Sequence, residues 1–194
     1  MEKGDSMNDI NQKYNVWSFG VSNIVKVGSK NKALQFYDVD GKWNTDLRDS
    51  LEELFKGIDC LVFQTERGFH FVSFAIKYSR IESARKRAYA ISKKYNQDYK
   101  FKKKDYLVLR LGAKMLMNAK TQRLEQIIST KPIFHHVFNK PTQDLKISQA
   151  HYDLWKRFVG IPISVQELYD CTYKVKGKIK VHYYRTTDKR DLKE

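Results

Sequence analysis

The chain has 194 residues, 41% hydrophobic and 13% aromatic, enough to fold one domain around its own core. It carries 37 Lys and Arg against 22 Asp and Glu, a net charge of +15 that favours a polyanionic partner. No apolar run is long enough to span a bilayer, and the first fifteen residues lack the apolar centre of a signal peptide, so no membrane is expected and the expected setting is cytoplasmic.

Residues 1–15 read as a flexible polar segment. Residues 16–27 and 32–39 read as two strands joined by the turn Gly28-Ser29-Lys30-Asn31. Gly41 ends the second strand, and Thr45 or Asp46 is expected to cap a helix running to about Lys56, with Leu47, Leu51, Leu54 and Phe55 at helical spacing. A hairpin follows over residues 59–74: an apolar strand, the turn Glu66-Arg67-Gly68, and a returning strand with His70 near the turn. The clearest helix covers residues 81–95, with Ile81, Ala84, Ala88 and Ile91 on one face.

Residues 106–111 form a short strand in this reading, residues 120–129 a helix closed off before Pro132, and residues 148–158 another helix with Tyr152, Trp155 and Phe158 in the core. Period-two alternation over residues 172–176 and 178–184, around Gly177, predicts a terminal hairpin, and residues 186–194 a frayed tail. The order predicts one α+β domain over residues 16–185, with helices packed on a mostly antiparallel sheet. Cys60 and Cys171 lie far apart in apolar surroundings and read as reduced thiols, and no Cys/His grouping has zinc spacing. Trp17, Trp43 and Trp155 read as core, and His135, His136, His151 and His182 as packed or surface residues.

Two stretches carry chemistry. Phe36-Tyr37-Asp38-Val39-Asp40 sets two carboxylates two residues apart at the end of an apolar run, so in a strand Asp38 and Asp40 share a face and repel unless a cation sits between them. Thr65-Glu66-Arg67-Gly68-Phe69-His70 brings an Arg and a His to a neighbouring turn. Carboxylates facing an Arg/His pair suit a metal–triphosphate substrate. Between Arg80 and Lys114 there are twelve basic and three acidic residues, interleaved with Tyr89, Tyr95, Tyr99, Phe101 and Tyr106, a mixture suited to a nucleic-acid backbone and its bases.

These residues resemble the catalytic core of archaeo-eukaryotic primases, the primase-polymerase superfamily, over roughly residues 35–114. Asp38-Val39-Asp40 is similar to the family's Asp-x-Asp/Glu motif, and Thr65-Glu66-Arg67-Gly68-Phe69-His70 to its hairpin motif, down to the Arg-Gly-Phe-His of small catalytic subunits of archaeal primases. The family places a third acidic residue about a dozen residues before a basic residue on a strand. Asp98 stands so before Arg110, with Asp105 as the alternative. Leu111-Gly112-Ala113-Lys114 replaces the Pro-Gly-Ser that many members carry after the Arg, and the zinc element of many primases is absent from the sequence.

The resemblance implies an RRM-like catalytic core and two-metal nucleotidyl transfer, with Asp38, Asp40 and Asp98 holding Mg²⁺ or Mn²⁺. It implies that His70 and Arg67 grip the phosphates, that Thr65 donates a hydrogen bond, and that Arg110 and Lys114 add phosphate or template contacts. Implied partners are a single-stranded DNA template, nucleoside triphosphates and a replication protein such as a helicase or primase large subunit. Two rivals remain. One is a non-catalytic nucleic-acid-binding subunit of the same fold. The other is a phosphatase of the haloacid dehalogenase type, whose strand also ends Asp-x-Asp-Gly but which needs a parallel α/β sheet. An EF-hand fails, because counting from Asp38 puts Gly41 at position four and Asp49 at twelve.

Overall fold

The computed structural model describes residues 14–76, 80–100, 107–138, 147–161, 174–175 and 181–186. Its strands are β1 (Tyr14–Ser22), β2 (Ile24–Val27), β3 (Lys30–Ala33), β4 (Phe36–Asp40), β5 (Cys60–Gln64), β6 (Gly68–Val72), β7 (Val108–Asn118), β8 (Leu124–Ser129), β9 (Ile133–Phe138), β10 (Ile147–Ser148), β11 (Lys174–Val175) and β12 (Val181–Thr186). Its helices are α1 (Thr45–Leu54), α2 (Ile81–Lys94) and α3 (Gln149–Val159). The predicted α+β class with mostly antiparallel pairing holds among the described residues, arranged as two four-stranded sheets, β12-β1-β7-β8 and β4-β6-β5-β9, with the small pairs β2-β3 and β10-β11. No helix among the described residues is long and apolar enough to cross a membrane.

The first expected strand is broken in two at Asn23. This buried side chain donates to Leu34 O at 3.1 Å and accepts from the Leu107 amide at 3.1 Å, so it ties three segments together where a strand residue would point to one face. The hairpin β2-β3 turns on Gly28 and Ser29 alone, with Gly28 at a φ of 60°, the left-handed backbone a two-residue turn demands. Asn44, rather than Thr45 or Asp46, caps α1, its Oδ1 accepting from the Leu47 amide at 2.7 Å. Leu47, Leu51, Leu54 and Phe55 are buried as their spacing predicts.

Three further expectations change. The segment read as a helix over residues 120–129 is a turn followed by β8. Asn118 Oδ1 accepts from the amides of Lys120 and Thr121, each at 3.0 Å, Gln122 takes a φ of 56°, and the chain reverses to pair with β7. The strand expected over residues 106–111 begins at Val108 and runs on to Asn118, paired on both sides by β1 and β8. The expected terminal hairpin is not formed among the described residues: β11 joins β10 in parallel, while β12 lies antiparallel to β1. Apart from Tyr14, Asn15 and Thr186, which stand in strands, the expected flexible and frayed termini lie outside the described residues, as does Cys171.

The core lies on both faces of the β4-β6-β5-β9 sheet. On one face Tyr37 meets Phe55 edge-on at 5.6 Å and Tyr99 at 5.3 Å. On the other, Trp155 of α3, fully buried, contacts Phe36 at 5.8 Å, Phe63 at 4.6 Å and Phe74 at 6.3 Å. α3 also touches the second sheet, where Phe158 meets Phe19 at 4.7 Å. Trp155 is core as expected, whereas Trp43 is 37% exposed and Trp17 half-buried. Asp38 and Asp40 follow Phe36 at period two, so they emerge on the α3 face of the sheet, toward β7.

Candidate active site

β4 and β6 run antiparallel with Asp38 across from His70 and Asp40 across from Gly68. This register brings the two sequence motifs together, and Gly68 makes it possible. A Cβ on that residue would lie 2.1 Å from Val39 O and 2.8 Å from Asp40 Cα, so only a glycine lets β6 start flush against the end of β4. The turn is closed by Thr65, whose amide donates to Gly68 O at 2.8 Å and whose Oγ1 accepts from the Gly68 amide at 3.1 Å. Arg67 is exposed at this turn, and its carbonyl accepts from the Gly41 amide at 2.9 Å.

His70 is buried, its side chain 6% exposed, and its Nε2 lies 3.5 Å from Asp38 Oδ1. Burial, and then the positive charge of Arg110 and Lys114, push its pKa down to about 3, so the imidazole is neutral at physiological pH. Nδ1 is buried and has no hydrogen-bond partner among the described residues. Asp38 moves the other way: loss of water and then repulsion from Asp40 raise it to about 6, against the pull of Lys100, Arg110 and Lys114.

Three cations therefore surround the pair from two directions. Arg110 and Lys114 come from β7. Arg110 is buried, with its guanidinium donating to Gly112 O at 3.0 Å and Thr130 O at 2.6 Å, so backbone carbonyls fix the position of its charge. Lys100 comes from the segment after α2, which adds to the β4 edge: Val39 bridges to Tyr99, and the Lys100 amide donates to Asp38 O at 3.0 Å. The Lys100 ammonium reaches the Asp40 carboxylate. This residue was missed in the sequence, where only its place two residues after Asp98, in a basic run, marks it.

Asp38, Asp40, His70, Arg110 and Lys114 are thus brought into one neighbourhood. Asp98 is exposed at the near end of the edge segment, and Asp105 lies outside the described residues. Among the described residues no group of three His, Cys, Asp or Glu side chains gathers for a metal ion. Asp38 and Asp40 nevertheless fit a hard divalent ion. They are two oxygen donors on one face, and the repulsion that raises Asp38 is what a cation would relieve.

His135 and His136 are in ring contact with each other at 4.8 Å on β9, away from Asp38, and His151 is buried between Ser148 and Ser22 O. His136 and His151 fit the packed reading and the exposed His135 the surface one; His182 has its side chain outside the described set. Comparison with known proteins finds no match, whether among family models, curated proteins or solved structures.

Proposed function

We propose that the chain is a template-directed nucleotidyl transferase of the primase-polymerase kind, working on a single-stranded DNA template with nucleoside triphosphates. The observation that carries this reading is the pairing of Asp38 with His70 across β4 and β6, with Asp40 on the same face and Arg110 and Lys114 supplying positive charge from β7. A carboxylate pair beside a neutral imidazole and fixed cations matches what a triphosphate and its counter-ion require.

Asp38 and Asp40 would hold Mg²⁺ or Mn²⁺, which supplies Lewis-acid activation of an attacking 3′-hydroxyl and neutralises the phosphates. The neutral His70 donates a hydrogen bond without adding charge, and its burial fixes the direction of that donor. Arg110 contributes a held positive charge, and Lys114 one on a flexible stem. In this reading Arg67 and Thr65, on the turn beside Asp40, meet the outer phosphates. Asp98, exposed at the near end of the edge segment, is the third member of the acidic set in this reading. A helicase or primase large subunit is the partner class that fits such an activity.

The phosphatase reading is disfavoured, because the neighbours of β4 and β5 run antiparallel where that fold needs a parallel sheet. The exposed position of Asp98 favours a second reading, a nucleic-acid-binding subunit of the same fold. A primer-synthesis assay decides between them: single-stranded template, labelled nucleotides, and Mg²⁺ or Mn²⁺, with wild type beside Asp38→Ala and Asp40→Ala. Product from wild type alone is expected. Equal product from either variant overturns the metal-site assignment, and no product from any, with tight DNA binding, favours the second reading.

A further inference from the structure

The side chain of Lys100 has no place in the chemistry just described, yet it occupies the carboxylate pair. Its backbone is anchored from the Tyr99 side. Tyr99 is buried, with its ring against Tyr37 at 5.3 Å and its hydroxyl bonded to Ser50, and the Lys100 amide is bound to Asp38 O at 3.0 Å. The side chain is not so confined: it is 37% exposed where it meets Asp40, itself 39% exposed. A fixed root and a four-carbon stem let the ammonium change position without moving the sheet.

The charge around the site gives this contact a consequence. The Asp38 and Asp40 carboxylates face three cations, Lys100, Arg110 and Lys114, with Lys100 in contact with Asp40. A divalent ion entering alone would add charge to a cluster that is already positive. The same ion entering with a polyphosphate would bring the cluster back toward neutrality, and it would give the ammonium leaving Asp40 an anion to bind.

We propose that Lys100 is the resident counter-ion of the Asp38–Asp40 pair and yields that place when a metal–triphosphate complex arrives, its ammonium turning from Asp40 to the phosphates. Lys100 thereby makes metal and triphosphate binding mutually dependent and keeps the site closed to metal alone. This rests on the reading of Asp38 and Asp40 as a metal site.

The test is a titration with Mn²⁺ alone, followed by the electron paramagnetic resonance of free Mn²⁺, on wild type, Lys100→Met and Asp40→Asn. It is repeated with a non-hydrolysable nucleoside triphosphate present, and circular dichroism checks the fold of each variant. Lys100→Met is expected to bind Mn²⁺ alone about tenfold more tightly than wild type, the effect of removing one adjacent partly exposed cation. It is also expected to lose most of the gain that the triphosphate gives wild type, while Asp40→Asn loses Mn²⁺ in both conditions. Equal Mn²⁺ affinity for wild type and Lys100→Met, with binding lost in Asp40→Asn, would overturn the role of Lys100 and leave the metal site standing. Mn²⁺ binding that Asp40→Asn does not weaken, or no binding to any form even with triphosphate, would overturn the metal-site reading and the proposal with it.

Discussion

His70 stands directly across from Asp38 in the β4–β6 ladder, with Nε2 3.5 Å from Asp38 Oδ1. The separation is too long for a strong hydrogen bond and short enough to orient both groups. The two are shifted in opposite directions by the same burial: Asp38 up to about 6, His70 down to about 3. The contact at neutral pH is therefore between a carboxylate and a neutral imidazole, not an ion pair.

This opposition predicts a compensated pH dependence of stability in the absence of metal. Asp38 titrates near 3.8 unfolded and near 6 folded, so between those values the native state holds the extra proton and stability falls as pH rises. His70 titrates near 6.5 unfolded and near 3 folded, so over the same interval the unfolded state holds the extra proton and stability rises with pH. From about pH 4 to 6 the two slopes, each about 1.4 kcal/mol per pH unit, offset one another. Relative to wild type, Asp38→Asn should gain stability with rising pH across this window and His70→Gln should lose it. Urea unfolding at several pH values in a chelator reads both, and parallel curves for all three proteins would refute the assignment.

Gly68 makes a prediction about packing. With a Cβ due 2.1 Å from Val39 O, Gly68→Ala must push β6 away from β4, against backbone that has nowhere to yield. A cost at or above the upper end of ordinary overpacking, about 3 kcal/mol, is expected in the urea midpoint. Gly28→Ala, which meets no atom within 4 Å and pays only for its positive φ, should cost about 1 kcal/mol.

The same hairpin shows what the sequence can and cannot display. The β5–β6 pair follows from local period-two patterning and a short turn, readable from residues 59–74, whereas the Asp38–His70 meeting needs β4 to pair with β6 beyond α1 and β5, a non-local contact. β8 was misread because Gln122, Arg123, Glu125 and Gln126 favour a helix locally, while its strand geometry comes from pairing with β7 across the Asn118 turn. The split of the strands into two sheets was equally hidden, since it depends on which distant strand each one meets. Lys100 was missed for the same reason: its approach to Asp40 rests on a bridge between Val39 and Tyr99, sixty residues apart in the chain, that no local pattern encodes.

The basic helix α2 separates structural from binding cations, and this yields the last prediction. Arg87 points inward and donates to the carbonyls of Leu54, at 2.8 Å, and Glu53, the last turn of α1. Those carbonyls have no partner within their own helix, so Arg87→Ala should leave them unsatisfied and destabilise the fold by about 1–3 kcal/mol. Lys86 and Lys93 are exposed on the opposite side, flanking Tyr89, which is 62% exposed; among the described residues Lys86 has an exposed pair with Glu82 to lose. Replacing both lysines with Ala should therefore leave the unfolding midpoint within about 0.5 kcal/mol of wild type. If this face tracks a nucleic-acid backbone, the double variant should weaken binding to single-stranded DNA and flatten its dependence on salt by about 1.4 units of log–log slope, because two counterion-releasing contacts are lost at about 0.7 each. Fluorescence anisotropy at several salt concentrations measures this directly. An unchanged slope would show that the lysines are a solvated face and would move the DNA path elsewhere on the molecule.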